Sequence, residues 1–296
     1  MNSESLEIER TLTKKSPLLS VMKELLKIWP LCLIFGVCIL SAILAPLIAP
    51  MDPDAQNLLA RLKPPGSLIK GQVYWLGSDQ LGRDLLSRII YGGRISIFIA
   101  FLSVTVSTSI GSWLGLMAGY YRGVAETVIM RIVDIVLSIP AILLAIITVA
   151  VLGPGLQNLI IVLGLTRWPR YARVAYGQSI SVSKMNYIKS ARFTGVSTSR
   201  ILWRHIFPNI VAPLLVVATL EFGLMILFEA GLSFLGLGVQ PPTASWGSIL
   251  SIGRNYMGIA WWIATFPGIC LFFLVLSVNM IGDYLRDRID PRFKKR

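Results

Sequence analysis

The sequence predicts an all-α polytopic membrane protein with six transmembrane helices, and three observations predict it. Hydrophobic residues make up 54% of the 296 residues, charged residues only 15%, and mean hydropathy is +0.69, more apolar surface than one soluble core of this size buries. Apolar windows near 20 residues, the length that crosses about 30 Å of hydrocarbon, fall at 29–49, 95–118, 132–152, 157–177, 210–232 and 259–281. Finally, with the N-terminus inside, 21 of the 28 Lys/Arg fall on the inner side and seven on the other, the bias that fixes orientation because basic residues near span ends resist translocation. Both termini are therefore expected inside.

Taken in order, residues 1–28 form a cytoplasmic N-terminal segment and 29–49 the first span. Its apolar run exceeds a signal-peptide core and no small-residue cleavage site precedes Pro50, so an uncleaved span is expected. Residues 50–94 form an outer loop. Within it, residues 75–94 read as an amphipathic helix with Ser78 or Asp79 as N-cap, Leu81, Leu85 and Ile89 on one face, and Asp84 to Arg88 at i, i+4. A structural lid and a docking surface for an external partner both fit that pattern. Residues 95–282 form the transmembrane core. In its second span Gly111, Gly115 and Gly119 recur every four residues, three flat positions on one face that permit close helix packing.

From Thr166 to Pro208 run 43 residues with eight Lys/Arg and no Asp or Glu. Within the cytoplasmic loop at 178–209, Tyr187 to Gly195 reads as a short helix closed by a glycine able to take φ > 0. A second helix follows, with N-cap oxygens on Ser197, Thr198 and Ser199, an apolar stripe of Ile201, Leu202 and Ile206, and Pro208 as its end. Two short helices meeting at a glycine make a surface that a soluble partner can grip. The tail is 283–296.

Several chemistries lack material. The three cysteines (Cys32, Cys38, Cys270) lie in or beside apolar spans without CxxC spacing and read as small hydrophobes. The one histidine, His205, reads as a contact residue of the second loop helix, so no triad or His-rich metal site is expected. No phosphate-binding loop occurs, and the basic residues form no aromatic-interleaved stripe for nucleic acid. Ionisable groups within the spans are few: Asp134, Glu221 and Glu229. A charge at mid-bilayer costs about 3 kcal/mol or more, so Glu221 is the candidate, either lining a translocation path or hydrogen-bonded at a helix contact. A secondary transporter would need charge pairs and inverted repeats, and an intramembrane enzyme paired catalytic groups; the sequence signals neither.

Five ordered blocks carry a family resemblance: WLGSDQLGRDLLSRIIYGGRIS (75–96), MRIVDIVLSIPAILLAI (130–146), YIKSARFTGVSTSRILWRHIFPN (187–209), EAGLSFLGLGVQPPTASWGSIL (229–250) and NMIGDYLRDRIDPR (279–292). Together they resemble the C-type permease subunit of dipeptide, oligopeptide and nickel ABC importers, over nearly everything from about residue 20 to 292. The loop is similar to the permease consensus E-A-A-x-x-x-G followed by proline, with Ser190, Ala191, Gly195 and Pro208 at matching positions; Lys189 stands where the consensus has Glu, and Ser190 where it has Ala. The resemblance implies a type I ABC importer permease fold in the bacterial inner membrane, without a cofactor or metal of its own. Its implied partners are a homologous B-type permease, two cytoplasmic ATP-binding subunits and an extracytoplasmic solute-binding protein. It implies an ATPase-coupling surface on Lys189, Ser190, Ala191, Gly195, Ile201, Trp203, His205, Pro208 and Asn209. Peptides are the expected solute, because the spans lack the His, Cys and Met clustering of a bare metal path.

Overall fold

The computed structural model describes the backbone of residues 17–289 and the side chains of residues 29–288. The expected cytoplasmic segment at 1–28 and tail at 283–296 lie partly outside these described residues. Among the described residues, nine helices carry the fold: α1 (Pro17–Ile43), α2 (Leu85–Tyr121), α3 (Gly123–Ser138), α4 (Ala141–Leu152), α5 (Leu156–Ser183), α6 (Asn186–Phe193), α7 (Thr198–Phe234), α8 (Trp246–Arg254) and α9 (Trp262–Ile289). A two-stranded hairpin, β1 (Ser67–Ile69) and β2 (Gln72–Tyr74), decorates the 50–84 segment.

Among the described residues, α2, α7 and α9 are long and apolar enough to cross a membrane. The other expected spans are altered for identifiable reasons. The stretch 132–152 is broken: α3 and α4 meet at 92°, because Pro140 lacks an N–H and forces Ile139 out of helical geometry, to φ −93 and ψ 131. Counted as one bent span, the pair makes a fourth. The stretch 157–177 is one helix, α5, but Arg167, Arg170 and Arg173 interrupt its apolar face. In the first stretch, α1 stops at Ile43 and a separate turn, Ala45–Ile48, follows.

The helix expected within 75–94 is not a separate element. Gly77 and Gly82 adopt φ +84 and +71, so the chain turns instead of coiling. Asp79 closes the turn by accepting from Leu81 N and Arg83 N at 2.9 and 3.0 Å. The N-cap is Asp84, which accepts from Ser87 N at 2.8 Å, and the helix it starts runs unbroken into the second span. Asp79, Arg83, Asp84 and Arg88 are each no more than 4% exposed. Arg88 reaches back to Asp54 at 3.3 Å and Asp79 at 3.5 Å, and Trp262 Nε1 donates to Ser78 O at 3.1 Å. The polar signature is thus spent on pinning the segment to the bundle.

The glycine stripe finds its partner within the chain. Helices α2 and α5 share the most extensive contact in the fold. A Cβ at Gly111 would stand 2.6 Å from Tyr171 Cβ, and one at Gly115 2.7 Å from Ala175 Cβ; at Gly119 it would meet Ser179. Gly115→Ala is accordingly expected to destabilise the detergent-purified protein by about 1–3 kcal/mol through overpacking. Gly177→Ala, on α5 with open space before it, should be neutral or slightly stabilising. Equal thermal unfolding midpoints for the two variants would contradict the packing.

Two apolar clusters divide the bundle. One gathers Leu85, Ile99, Leu163, Met225, Trp246 and Ile263 toward the 50–84 end. The other joins Leu116, Tyr171 and Val182 to Ile188, Ile201, Leu202, Ile206 and Ile210, and so seats the basic loop on the opposite end of α2 and α5.

Candidate functional site

The basic loop forms a helical knob. Helix α6 ends in a paired closure: Gly195 N donates to Arg192 O and Val196 N to Ala191 O, both at 3.1 Å. Gly195 sits at φ +76. That is the Schellman arrangement, in which a residue with left-handed backbone satisfies the last carbonyls of a helix. Ser197 occupies the N-cap position of the next helix, without a side-chain capping bond.

Pro208 does not end this second helix. Ile201–Ile206 form a widened π turn, closed by Phe207 N to Leu202 O, which carries the chain past Pro208 and into the span. Thr198–Phe234 is thus one 37-residue helix, α7, and no joint separates the knob from the membrane. Such a turn recurs at functional positions.

The expected coupling residues divide by face. Lys189, Ser190, Gly195, Trp203, Pro208 and Asn209 are exposed, while Ala191 and His205 are half-buried. Ile201 is 1% exposed and belongs to the cluster beneath, so it anchors the knob rather than meeting a partner. Asn209 Nδ2 donates to Tyr187 Oη at 3.2 Å and to His205 O at 2.6 Å, tying the start of the span back to α6. Arg192 lies over the Tyr120 ring at 4.4 Å. Phe193, absent from the sequence-derived set, is 91% exposed; it was missed because it falls on no apolar stripe. Its signal is a large aromatic in an otherwise polar turn, just before the helix-closing glycine.

Glu221, on α7 and 1% exposed, meets two arginines of α5. Arg170 Nη1 donates to Oε1 at 2.6 Å, and Arg167 Nη1 stands at 3.7 Å from Oε2, an ion pair without a hydrogen bond. Arg167 is itself buried and stacks over the Phe228 ring at 4.1 Å. Arg170 is half exposed and, with Arg173, Leu137, Val217 and Glu221, lines a cleft of about 470 Å³. Arg173 also pairs with Asp134, and Tyr176 with Glu126. One face of α5, with positions three residues apart, thereby holds acids of both α7 and α3. Glu221 is thus clamped at a helix contact and also borders this cleft. Glu229 is buried and, among the described residues, pairs with no arginine, accepting instead from Ser96 Oγ and Ser233 Oγ at 2.8 and 2.7 Å.

A bundle of apolar helices, with a basic knob continuous with one of them, fits the membrane component of a transport system. The chain belongs to the family of binding-protein-dependent transport system inner membrane components, whose profile matches residues 111–295. Residues 32–65 match the N-terminal transmembrane domain of oligopeptide transport permease C. Among curated relatives, the di/tripeptide transport system permease protein DppC of Pseudomonas aeruginosa is 44% identical over 86% of this chain and 85% of its own length. The dipeptide permease DppC of Haemophilus influenzae is 43% identical over 86% and 87%. The probable D,D-dipeptide transport system permease DdpC of Escherichia coli K12 is 40% identical over 86% and 84%. Among solved structures, a chain of the MetNI methionine ABC transporter in an inward-facing form superposes with a TM-score of 0.57 at 21% identity, covering 70% of this chain and 98% of that one; at that identity the likeness concerns the fold.

Proposed function

We propose that this chain is the C-type permease subunit of an ATP-driven importer of di- or oligopeptides. It lines half of the translocation path beside a homologous B-type permease. Two cytoplasmic ATP-binding subunits grip its knob, and an extracytoplasmic binding protein delivers the solute. It spans the bacterial inner membrane six times, with both termini inside. The peptide assignment draws on the names of the curated relatives. The observation that carries the mechanical part is the unbroken course of α7 from the knob to Glu221. From Trp203 to Glu221 the helix extends about 27 Å, so a displacement imposed on the knob is carried along one continuous helix toward the ion-paired cleft. Coupling needs a two-state element whose contacts differ at both ends, and this helix is the element we assign to it. The chain catalyses nothing itself.

Phe193 and Trp203 are the aromatic anchors for the ATP-binding subunit. Interface energy concentrates in such residues, where truncation costs about 2 kcal/mol or more. Phe193→Ala is expected to weaken recovery of the ATP-binding subunits in pull-downs about thirtyfold while membrane insertion is unchanged. The wild-type chain alone should not hydrolyse ATP, and a reporter that needs the cytoplasm should work at Ser183 and fail at Lys63. Undiminished recovery with Phe193→Ala, or hydrolysis by the isolated chain, would overturn the assignment.

A further inference from the structure

We propose that the groove between α1, α2, α7 and α9 is a phospholipid site, with an acyl chain in the groove and the headgroup phosphate on Arg94. Two cavities of about 340 and 310 Å³ share Ile39, Ile97 and Phe101 and so form one trough. The first is walled by Phe35, Phe222 and Val278 besides these. Its one hydroxyl, Thr219 Oγ1, is already spent on Val216 O at 2.8 Å. The trough offers no free polar group until it reaches Arg94, beside Ile43 and Phe98.

Arg94 differs from Arg83 and Arg88, which precede it in the chain. Arg83 and Arg88 are buried and paired to Asp79 and Asp54. Arg94 is exposed and makes no hydrogen bond or ion pair among the described residues. Asp54, which borders a further cavity with Arg94, is engaged by Arg88 at 3.3 Å. A guanidinium held at the mouth of an apolar trough selects its occupant by charge and shape together. A soluble anion matches Arg94 but leaves the trough open. An apolar helix fills the trough but leaves the cation unpaired. A phospholipid meets both requirements, in the leaflet on the side of the 50–84 segment.

The test is native mass spectrometry of the assembled, delipidated importer titrated with palmitoyl-oleoyl phosphatidylglycerol. The wild type is expected to hold one lipid more than Arg94→Gln at matched concentration, with about tenfold weaker binding in the variant from loss of one charge-assisted contact. Ala218→Leu, which fills the trough, should lose the same lipid while subunit stoichiometry stays intact, and inorganic phosphate should not compete. Equal occupancy in wild type and Arg94→Gln would sink the site. Full occupancy in Ala218→Leu, or displacement by inorganic phosphate, would reduce it to a surface anion contact and overturn the proposal. The readout is bound lipid rather than uptake, so failure here leaves the peptide-importer reading untouched.

Discussion

Glu221→Leu is expected to destabilise the protein by about 3–5 kcal/mol, because removing one member of a buried ion pair strands the other. The stranded group is Arg167, whose side chain is 8% exposed and would be left against the Phe228 ring. Arg170→Gln should cost less, about 1–3 kcal/mol, since that side chain is 53% exposed but supplies the hydrogen bond to the buried Glu221 carboxylate. The double variant Arg167→Met with Glu221→Leu should recover much of the loss, as apolar replacements of buried pairs often do. Thermal unfolding in detergent measures all three. A wild-type midpoint for Glu221→Leu together with lost uptake would refute the clamp and leave only the path-lining role.

Gly195→Val is expected to abolish uptake while leaving expression and membrane insertion intact. The site has open space around it, so no clash is involved. The cost, about 1–2 kcal/mol, comes from asking a β-branched residue to hold φ +76. Relaxation to negative φ would break the bonds from Gly195 N and Val196 N that close α6 and swing Phe193 and Lys189 away from α7. ATP hydrolysis in proteoliposomes should then stop responding to the loaded binding protein. Gly195→Asn, tolerant of left-handed backbone, should keep most of the coupling. Wild-type uptake and stimulation in Gly195→Val would show that the paired closure of α6 is dispensable.

Features that depend on neighbours in sequence were legible before the fold. The closure at Gly195, the Ser197 start and the three-glycine face all follow from local spacing. Features that depend on distant partners were not. Glu221 stood out as a buried acid, but its arginines lie about fifty positions earlier on α5, and their identity required the packing of α5 against α7. Pro208 read as a helix end because a proline usually is one; the widened turn before it left no mark in composition. Only the first half of the 75–94 stretch was misread: Gly77 and Gly82 turn the chain there, whereas from Asp84 onward it is helical as expected.

The right-angle break at Pro140 carries a demand of its own. Where α3 stops and α4 begins, Ser138, Ile139 and Pro140 are exposed, and Val133 is the sole buried residue of α3. Carbonyls freed at such a corner cannot stand against hydrocarbon, where each unsatisfied group costs several kcal/mol, so interrupted helices persist only against protein or a water-filled lumen. The greasy faces flanking the corner, with Ile135, Ile142, Ile147 and Val151 outward, favour protein over water. On the proposed importer reading, this flank is where the homologous permease would complete the wall.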